Sequence, residues 1–287
     1  MHPDEVLKTH TPPFDAVAAG YDAQFTETAV GRLQRSVVWT FLETWKNAQR
    51  EQTLRVLELN CGTGEDARWL ARQGFRVLAS DISPAMTAIT EIKARQAGLA
   101  ECIETQVIDI QTLELNDKHL FPNSFDLIFS NFGGLNCIPP ESLQRLGAVV
   151  PGLLKPDGHF VAVVMGRFCV WETVYFLLKG RFRSAFRRFS RQAVAAHLSD
   201  QTMVETWYYA PKELNALLRT GGFSRRIVTM VQPIGFWLPP SYLNPFFEKR
   251  TRFLRFLHQL EKKCRRPIWA WGADHFLICI KNPDLSV

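Results

Sequence analysis

A mostly parallel, doubly wound α/β sheet is the fold this sequence predicts, and three observations predict it. Short apolar runs alternate with helical patterns along residues 54–165. The first run ends in a glycine-containing turn that opens a helix. The chain has 287 residues, 46% hydrophobic and 22% charged, a globular composition long enough to bury a sizeable core.

In order, 54–59 (LRVLEL) reads as a buried strand and 65–73 as a helix with Ala67, Leu70 and Ala71 on one face. Gly74 ends that helix and 75–79 is the second strand. A helix over 84–97 follows, with Ser83 as N-cap, Pro84 at the first position and Gly98 closing it. Strands over 102–108 and 125–130 (FDLIFS), a helix over 141–154 and a fifth strand over 158–165 (GHFVAVVM) complete the alternation.

Beyond 165 the pattern breaks. Inserted helices are expected over 167–196, an extra strand over 203–209 and a helix over 211–220 stopped by Gly221-Gly222. A strand over 223–231, a proline-rich aromatic connection over 235–245, a long basic helix over 246–263 and a last strand over 275–281 follow. Upstream of the sheet, Phe14, Tyr21, Phe25, Trp39, Phe41 and Trp45 recur at roughly helical spacing and read as one or two helices beside it. No clean linker interrupts the chain. The expectation is therefore one domain: a helical lid over 1–50, a core over 54–165, cap insertions over 167–200 and 235–267, and the last strand over 273–281.

The net charge of +6 is uneven. Residues 167–191 hold seven Lys/Arg and one acid, and 248–266 hold eight Lys/Arg and two acids. Both segments are rich in aromatics, among them Phe168, Trp171, Tyr175, Phe182, Phe253 and Phe256. Such segments pack as solvated cap helices, lie on an anionic membrane surface or bind nucleic acid. The first 14 residues carry no apolar signal-peptide core, and no run approaches a membrane span. The six cysteines are far apart and form no C-x-x-C pair, which argues against a zinc site or disulfide framework and suits a reducing cytoplasm.

The turn Glu58-Leu59-Asn60-Cys61-Gly62-Thr63-Gly64 is the most informative stretch. A strand, a Gly-rich turn and a helix N-terminus surround a ligand with backbone N–H groups, and glycine permits the close approach. Gly62-x-Gly64-x-x-Ala67 also satisfies a dinucleotide fingerprint with Asp81 as the ribose acid, so an NAD-dependent oxidoreductase is a competing reading. Glu58 at the strand end would repel a pyrophosphate and suits a cationic amino acid group instead. Asp109 after the third strand can accept a hydrogen bond from an exocyclic adenine amine.

With VLELNCGTGEDARWLA, VLASDISPAM, VIDI, FDLIFSN and LLKPDGHFVAVV in order over roughly 54–165, the chain resembles the class I S-adenosylmethionine-dependent methyltransferases. The YDAQF segment is similar to the small-molecule branch that includes quinone-biosynthesis methyltransferases. The resemblance implies a Rossmann-like seven-stranded sheet with its last strand antiparallel, 223–231 and 275–281 being strands six and seven. It implies S-adenosyl-L-methionine as cofactor, with Glu58 on the methionine amino group and Asp81 on the ribose hydroxyls. The turn Asn60, Cys61, Gly62 and Gly64 would let backbone approach it. Ile82 and Met86 would lie against the adenine, Asp109 and Ile110 beside its amine, and Asn131 and Phe132 at the methyl group. The family's first glycine in this turn is Asn60 here, and Asn tolerates positive φ better than other non-glycine residues.

Methyl transfer from a sulfonium is an in-line displacement that needs alignment first, and a base only where the acceptor carries a departing proton. No catalytic residue stands out. His159, His197, His275 and Asp274 are candidate bases, with His275 and Asn131 carried forward. The sequence Asn131-Phe132-Gly133-Gly134 lacks the prolines of the amino-methyltransferase signature. The expected acceptor is a small apolar molecule, such as a quinone precursor, polyketide or lipid-like compound, met by the aromatic insertions. Nucleic-acid methylation and a non-catalytic cofactor-binding protein are the remaining alternatives.

Overall fold

The computed structural model describes residues 12–49, 51, 53–115, 120–199, 201–223 and 229–282. Among the described residues nine strands form in chain order: β1 (Arg55–Leu59), β2 (Arg76–Asp81), β3 (Ile103–Val107), β4 (Phe125–Ser130), β5 (Leu154–Met165), β6 (Val194–His197), β7 (Met203–Thr206), β8 (Thr229–Ile234) and β9 (His275–Lys281). Seven make one sheet in the order β3-β2-β1-β4-β5-β9-β8, while β6 and β7 pair separately. The first five strands run parallel, and β9 runs antiparallel between β5 and β8. The chain leaves β1 toward β2 and β3, then returns to place β4 on the other side of β1. The order reverses between β1 and β4, and the crevice at their carboxyl ends is where such sheets bind ligands.

Side-chain alternation sends neighbours to two cores. Leu57, Ile128, Phe160 and Ile278 pack on one face with Leu143, Leu146, Leu214 and Leu218. Val56, Leu127, Val161 and Leu277 pack on the other with Val38, Leu42 and Leu70. Both faces are covered, so β4 is buried at every position, as a central parallel strand must be. Thr28 caps the helix Ala29–Asn47 through the N–H of Gly31, and Ser83 caps Pro84–Gln96 through that of Met86. Among the described residues no helix is long and apolar enough to cross a membrane.

Three sequence expectations change. Over 167–196, only Val170–Leu178, Phe182–Ala185 and the single turn Arg187–Phe189 are helical, and Val194–His197 is a strand paired with β7. A hairpin partner close in sequence satisfies that backbone better than an isolated helix end would. The sixth sheet strand is Thr229–Ile234 rather than 223–231, of which 224–228 lie outside the described residues. It runs through Pro233, which an edge strand accommodates because one side of its backbone needs no partner. The basic helix expected over 246–263 is two helices, Asn244–Phe247 and Thr251–Lys263. The break lets Phe247 stack on Phe253 with ring centroids 6.2 Å apart, a contact that residues six apart do not make on one straight helix.

The connection after β8 is pinned by Glu261. Its carboxylate accepts the backbone N–H groups of Gly235, Phe236, Trp237 and Leu238 at 2.9, 3.3, 2.7 and 3.1 Å. Burial raises its pKa and these four donors pull it back down, with burial the larger effect. Glu261→Ala strands buried donors and is expected to cost about 2–4 kcal/mol in denaturant unfolding, with Glu261→Gln recovering part of it.

Candidate cofactor and acceptor site

At the carboxyl end of β1 the backbone turns through positive φ at Asn60 (51°), Gly62 (54°) and Gly64 (78°). Asp81, ending β2, accepts the N–H of Gly62 at 2.9 Å and that of Ser83 at 3.0 Å, locking the turn to the start of the next helix. Burial raises its pKa, and those N–H groups oppose the rise. Glu58 is 1% exposed, and its Oε2 has no hydrogen-bond partner. Burial, with the nearby charges of Asp66 and Asp81, pushes it well above the ordinary carboxylate range. An orphaned buried carboxyl oxygen is costly alone and is suited to a cationic donor.

Asn60 crosses the crevice. Its Oδ1 accepts the Ser130 hydroxyl at 2.6 Å and its Nδ2 donates to the Asn131 carbonyl at 2.9 Å, joining the ends of β1 and β4. A Cβ on Gly134 would come within 2.0 Å of Asn60 Cγ, so the glycine after β4 makes room for the asparagine. Asn131 in turn donates to Asp66 Oδ2 at 2.9 Å and accepts the Phe132 N–H at 3.1 Å. Asp66 also takes Arg35 and the Trp39 indole N–H. Phe132, at φ 38°, meets the Arg35 guanidinium 5.3 Å from its centroid and the His275 ring in a T-shaped contact with centroids 5.2 Å apart. A bulky residue in that backbone region is strained, and such strain clusters at ligand sites.

The β2–β3 edge brings Asp109 and Ile110 beside Asp81 and Ile82, because the Ile108 N–H bonds the Asp81 carbonyl at 2.9 Å. Asp109 is half-buried and accepts the Gln111 N–H at 2.9 Å. Ile82 is exposed, Met86 is buried, and burial keeps the Cys61 thiol neutral by pushing its pKa well up. The N-terminal segment closes over the turn. Asp15 accepts from the Ser83 hydroxyl and the Ala85 N–H, Asp22 pairs with Lys93 and accepts from Thr63 at 2.5 Å, and the Tyr21 ring lies against Gly62. Burial pushes the Tyr21 hydroxyl up to about 12.

On the cap side a buried ionic cluster adjoins Phe132. Arg188 bridges Glu172 at 2.7 Å and Asp274 at 2.8 Å, and Arg187 and the Tyr242 hydroxyl also reach Glu172, at 2.8 and 3.1 Å. His275 Nδ1 lies 3.2 Å from Asp274 Oδ2, an ion-pair distance outside hydrogen-bond geometry. Burial acts to raise both carboxyls, but His275 and Arg188 hold Asp274, and the two arginines hold Glu172, below their ordinary range. Of the candidate bases, only Asp274 and His275 are brought to the crevice. His159 sits at the opposite end of the sheet against Trp45, its pKa lowered to about 4 by burial, and His197 is exposed on β6. Arg35, Asp66, Glu172 and Arg188 escape sequence reading, because each is recognisable only by a partner from another element. Among the described residues no group of His, Cys, Asp and Glu is arranged to hold a metal.

Residues 56–158 match the methyltransferase domain family. A ubiquinone/menaquinone biosynthesis C-methyltransferase of Acidiphilium cryptum is 28% identical over 217 residues, covering 74% of this chain and 81% of that protein. A demethylmenaquinone methyltransferase of Clavibacter sepedonicus is 31% identical over 149 residues, 52% of this chain and 54% of that protein. In matches at that level of identity the alignment spans about half the length of the curated relative. The fold is shared with an S-adenosylmethionine-dependent methyltransferase of Mesorhizobium loti (TM-score 0.52, 19% identity, 87% of this chain and 99% of that chain). It is shared also with phosphoethanolamine N-methyltransferase 2 of Haemonchus contortus, solved with S-adenosyl-L-methionine (TM-score 0.55, 16% identity, 94% of this chain and 57% of that chain).

Residues 56–158 thus carry a methyltransferase domain. In this domain Asn60 holds the turn, since its positive φ is met and its two bonds cross the crevice.

Because Asp274 and Glu172 are held below their unfolded-state pKa values, their stabilisation is present at neutral pH and is lost as pH falls through the native values. Arg188→Leu leaves two buried carboxylates underpaired and is expected to cost about 3–5 kcal/mol at neutral pH. The difference from wild type should shrink as unfolding is followed down through the carboxylate range.

Proposed function

We propose that this protein transfers a methyl group from S-adenosylmethionine to a small apolar acceptor with an ionisable hydroxyl or an activated ring. The observation that carries the cofactor reading is Glu58, a buried carboxyl whose Oε2 lacks any partner at the head of the glycine turn. It fits an ammonium group, whereas a dinucleotide pyrophosphate, which carries no donor, would leave that oxygen unpaired. Asp81 retains acceptor capacity for two ribose hydroxyls, and Ile82, Met86, Asp109 and Ile110 are the assigned adenine contacts. Asn60, Cys61, Gly62 and Gly64 form the turn against the ligand, closed by Tyr21.

When bound, the cofactor supplies a methyl group already activated on a sulfonium. Asn131 and Phe132 then border the acceptor, and the fixed pose of Phe132 between Arg35 and His275 sets its approach line. The His275 ring, beside Phe132, is placed to take a hydroxyl proton at Nε2. Asp274, kept ionised by Arg188, would stabilise the resulting imidazolium. Aromatic side chains from both insertions, Trp171 and Phe236 among them, adjoin this region, with the Trp171 indole N–H on the Phe236 carbonyl at 3.1 Å. An apolar acceptor suits them, and two of the related proteins are named for quinone methylation. The cap's Arg167, Arg187 and Arg188 are engaged in ion pairs with Glu213, Glu172 and Asp274, which disfavours a nucleic-acid groove here.

Calorimetric titration should show binding of S-adenosylmethionine and of its demethylated product, weakened about tenfold or more in Asp81→Ala and in Glu58→Gln. Binding of NADH alone would overturn the reading. With a phenolic acceptor, His275→Ala should lower kcat/KM about a hundredfold while cofactor affinity stays unchanged. An unchanged kcat/KM would remove His275 from the chemistry.

A further inference from the structure

The helix Val170–Leu178 is built inside out. Its buried residues are the polar Glu172 and Thr173, and Glu172 is held inward by Arg187, Arg188 and Tyr242. Val170, Val174, Leu177 and Leu178, spaced four, three and one residue apart on one face, are exposed instead. Leu178 is 84% exposed, and Phe182, just past the turn at Gly180, is 66% exposed. A helix that merely covers a core has the reverse arrangement.

The second insertion continues this face. Thr251–Lys263 buries Leu254, Leu257 and Glu261, and leaves Phe253 and Phe256 exposed on its outer side. Ring contacts join the two insertions: Phe247 packs on both Trp171 and Phe253, and Phe246 on Tyr175. Exposed cations flank the apolar residues, with Lys179, Arg181 and Arg183 beside Leu178 and Phe182, and Arg252 and Arg255 beside Phe253 and Phe256. None of these five forms an ion pair among the described residues.

We propose that this face is a peripheral docking surface for an anionic phospholipid bilayer. Leu178 and Phe182 enter the boundary between headgroups and acyl chains, and the five cations lie against the phosphates. Outward apolar side chains interleaved with Lys and Arg match both layers of such an interface. A nucleic acid would engage the cations and leave the aliphatic stripe in water. A second copy would bring the same cations against themselves, since two of the three acids in these segments, Glu172 and Glu261, are buried. The inner side of the docking helix carries Glu172 of the ionic cluster, so docking holds the acceptor side of the crevice at the lipid surface. The proposal does not depend on which acceptor is methylated.

The test is co-sedimentation of the full chain with vesicles of phosphatidylcholine alone and of equimolar phosphatidylcholine and phosphatidylglycerol. Wild type should bind the anionic vesicles about tenfold or more tightly than the neutral ones, with affinity falling as salt rises. Leu178→Ser with Phe182→Ser, and separately Arg252→Gln with Arg255→Gln, should each weaken that binding about tenfold, leaving the melting temperature and cofactor titration unchanged. Three results would overturn the proposal: no preference for anionic vesicles, full binding by both variants, or a solution dimer dispersed by the Leu178 and Phe182 changes.

Discussion

Asp66 sits in the first turn of the helix Glu65–Arg72 and receives side chains from two other parts of the chain, Arg35 and Trp39 from Ala29–Asn47 and Asn131 from the turn after β4. A buried carboxylate is costly unless its lone pairs are filled. That requirement draws the N-terminal helix, the glycine turn and the β4 end into one arrangement. Asn131, so held, accepts from Phe132, and Arg35 covers the Phe132 ring. The strained phenylalanine and the asparagine bridge at Asn60 both adjoin this junction.

The cap applies the same logic with opposite polarity. Where a surface helix normally turns apolar residues inward, Val170–Leu178 turns Glu172 and Thr173 inward and its aliphatic stripe out. The inward charge is offset by Arg187 and Arg188, and Arg188 carries the connection on to Asp274 and His275. One helix thus couples the ionic cluster beside Phe132 to the surface the protein presents outward. The cation-rich composition of the insertions is divided between these two tasks. Arg187 and Arg188 are used internally, and Lys179, Arg181 and Arg183 face solvent.

How much could be read in advance follows from how far apart the partners lie. The turn from Glu58 to Gly64, the cap at Ser83 and the strand-end position of Asp81 are each contiguous in sequence, and all were legible. The interrupted helix near Phe247 was not, because its break serves a ring contact with Phe253 that a continuous helical pattern conceals. The strand Val194–His197 was not, since a short alanine-rich run takes its conformation from its hairpin partner. Gln34 and Asp274, 240 residues apart, meet in the buried cluster, and nothing local in either segment signals the other.

The sequence by itself determined the doubly wound class, the strand that ends in the glycine turn and the acids at the ends of β1, β2 and β3, because periodicity and turn chemistry act within a few residues. Tertiary structure alone decided which carboxylates are paired and which is left open. Glu58 and Asp66 look alike as acids flanking one turn, yet one is orphaned and the other takes three donors. The reason is physical: the state of a buried charge depends on the groups that surround it in space, and those arrive from every layer of the fold.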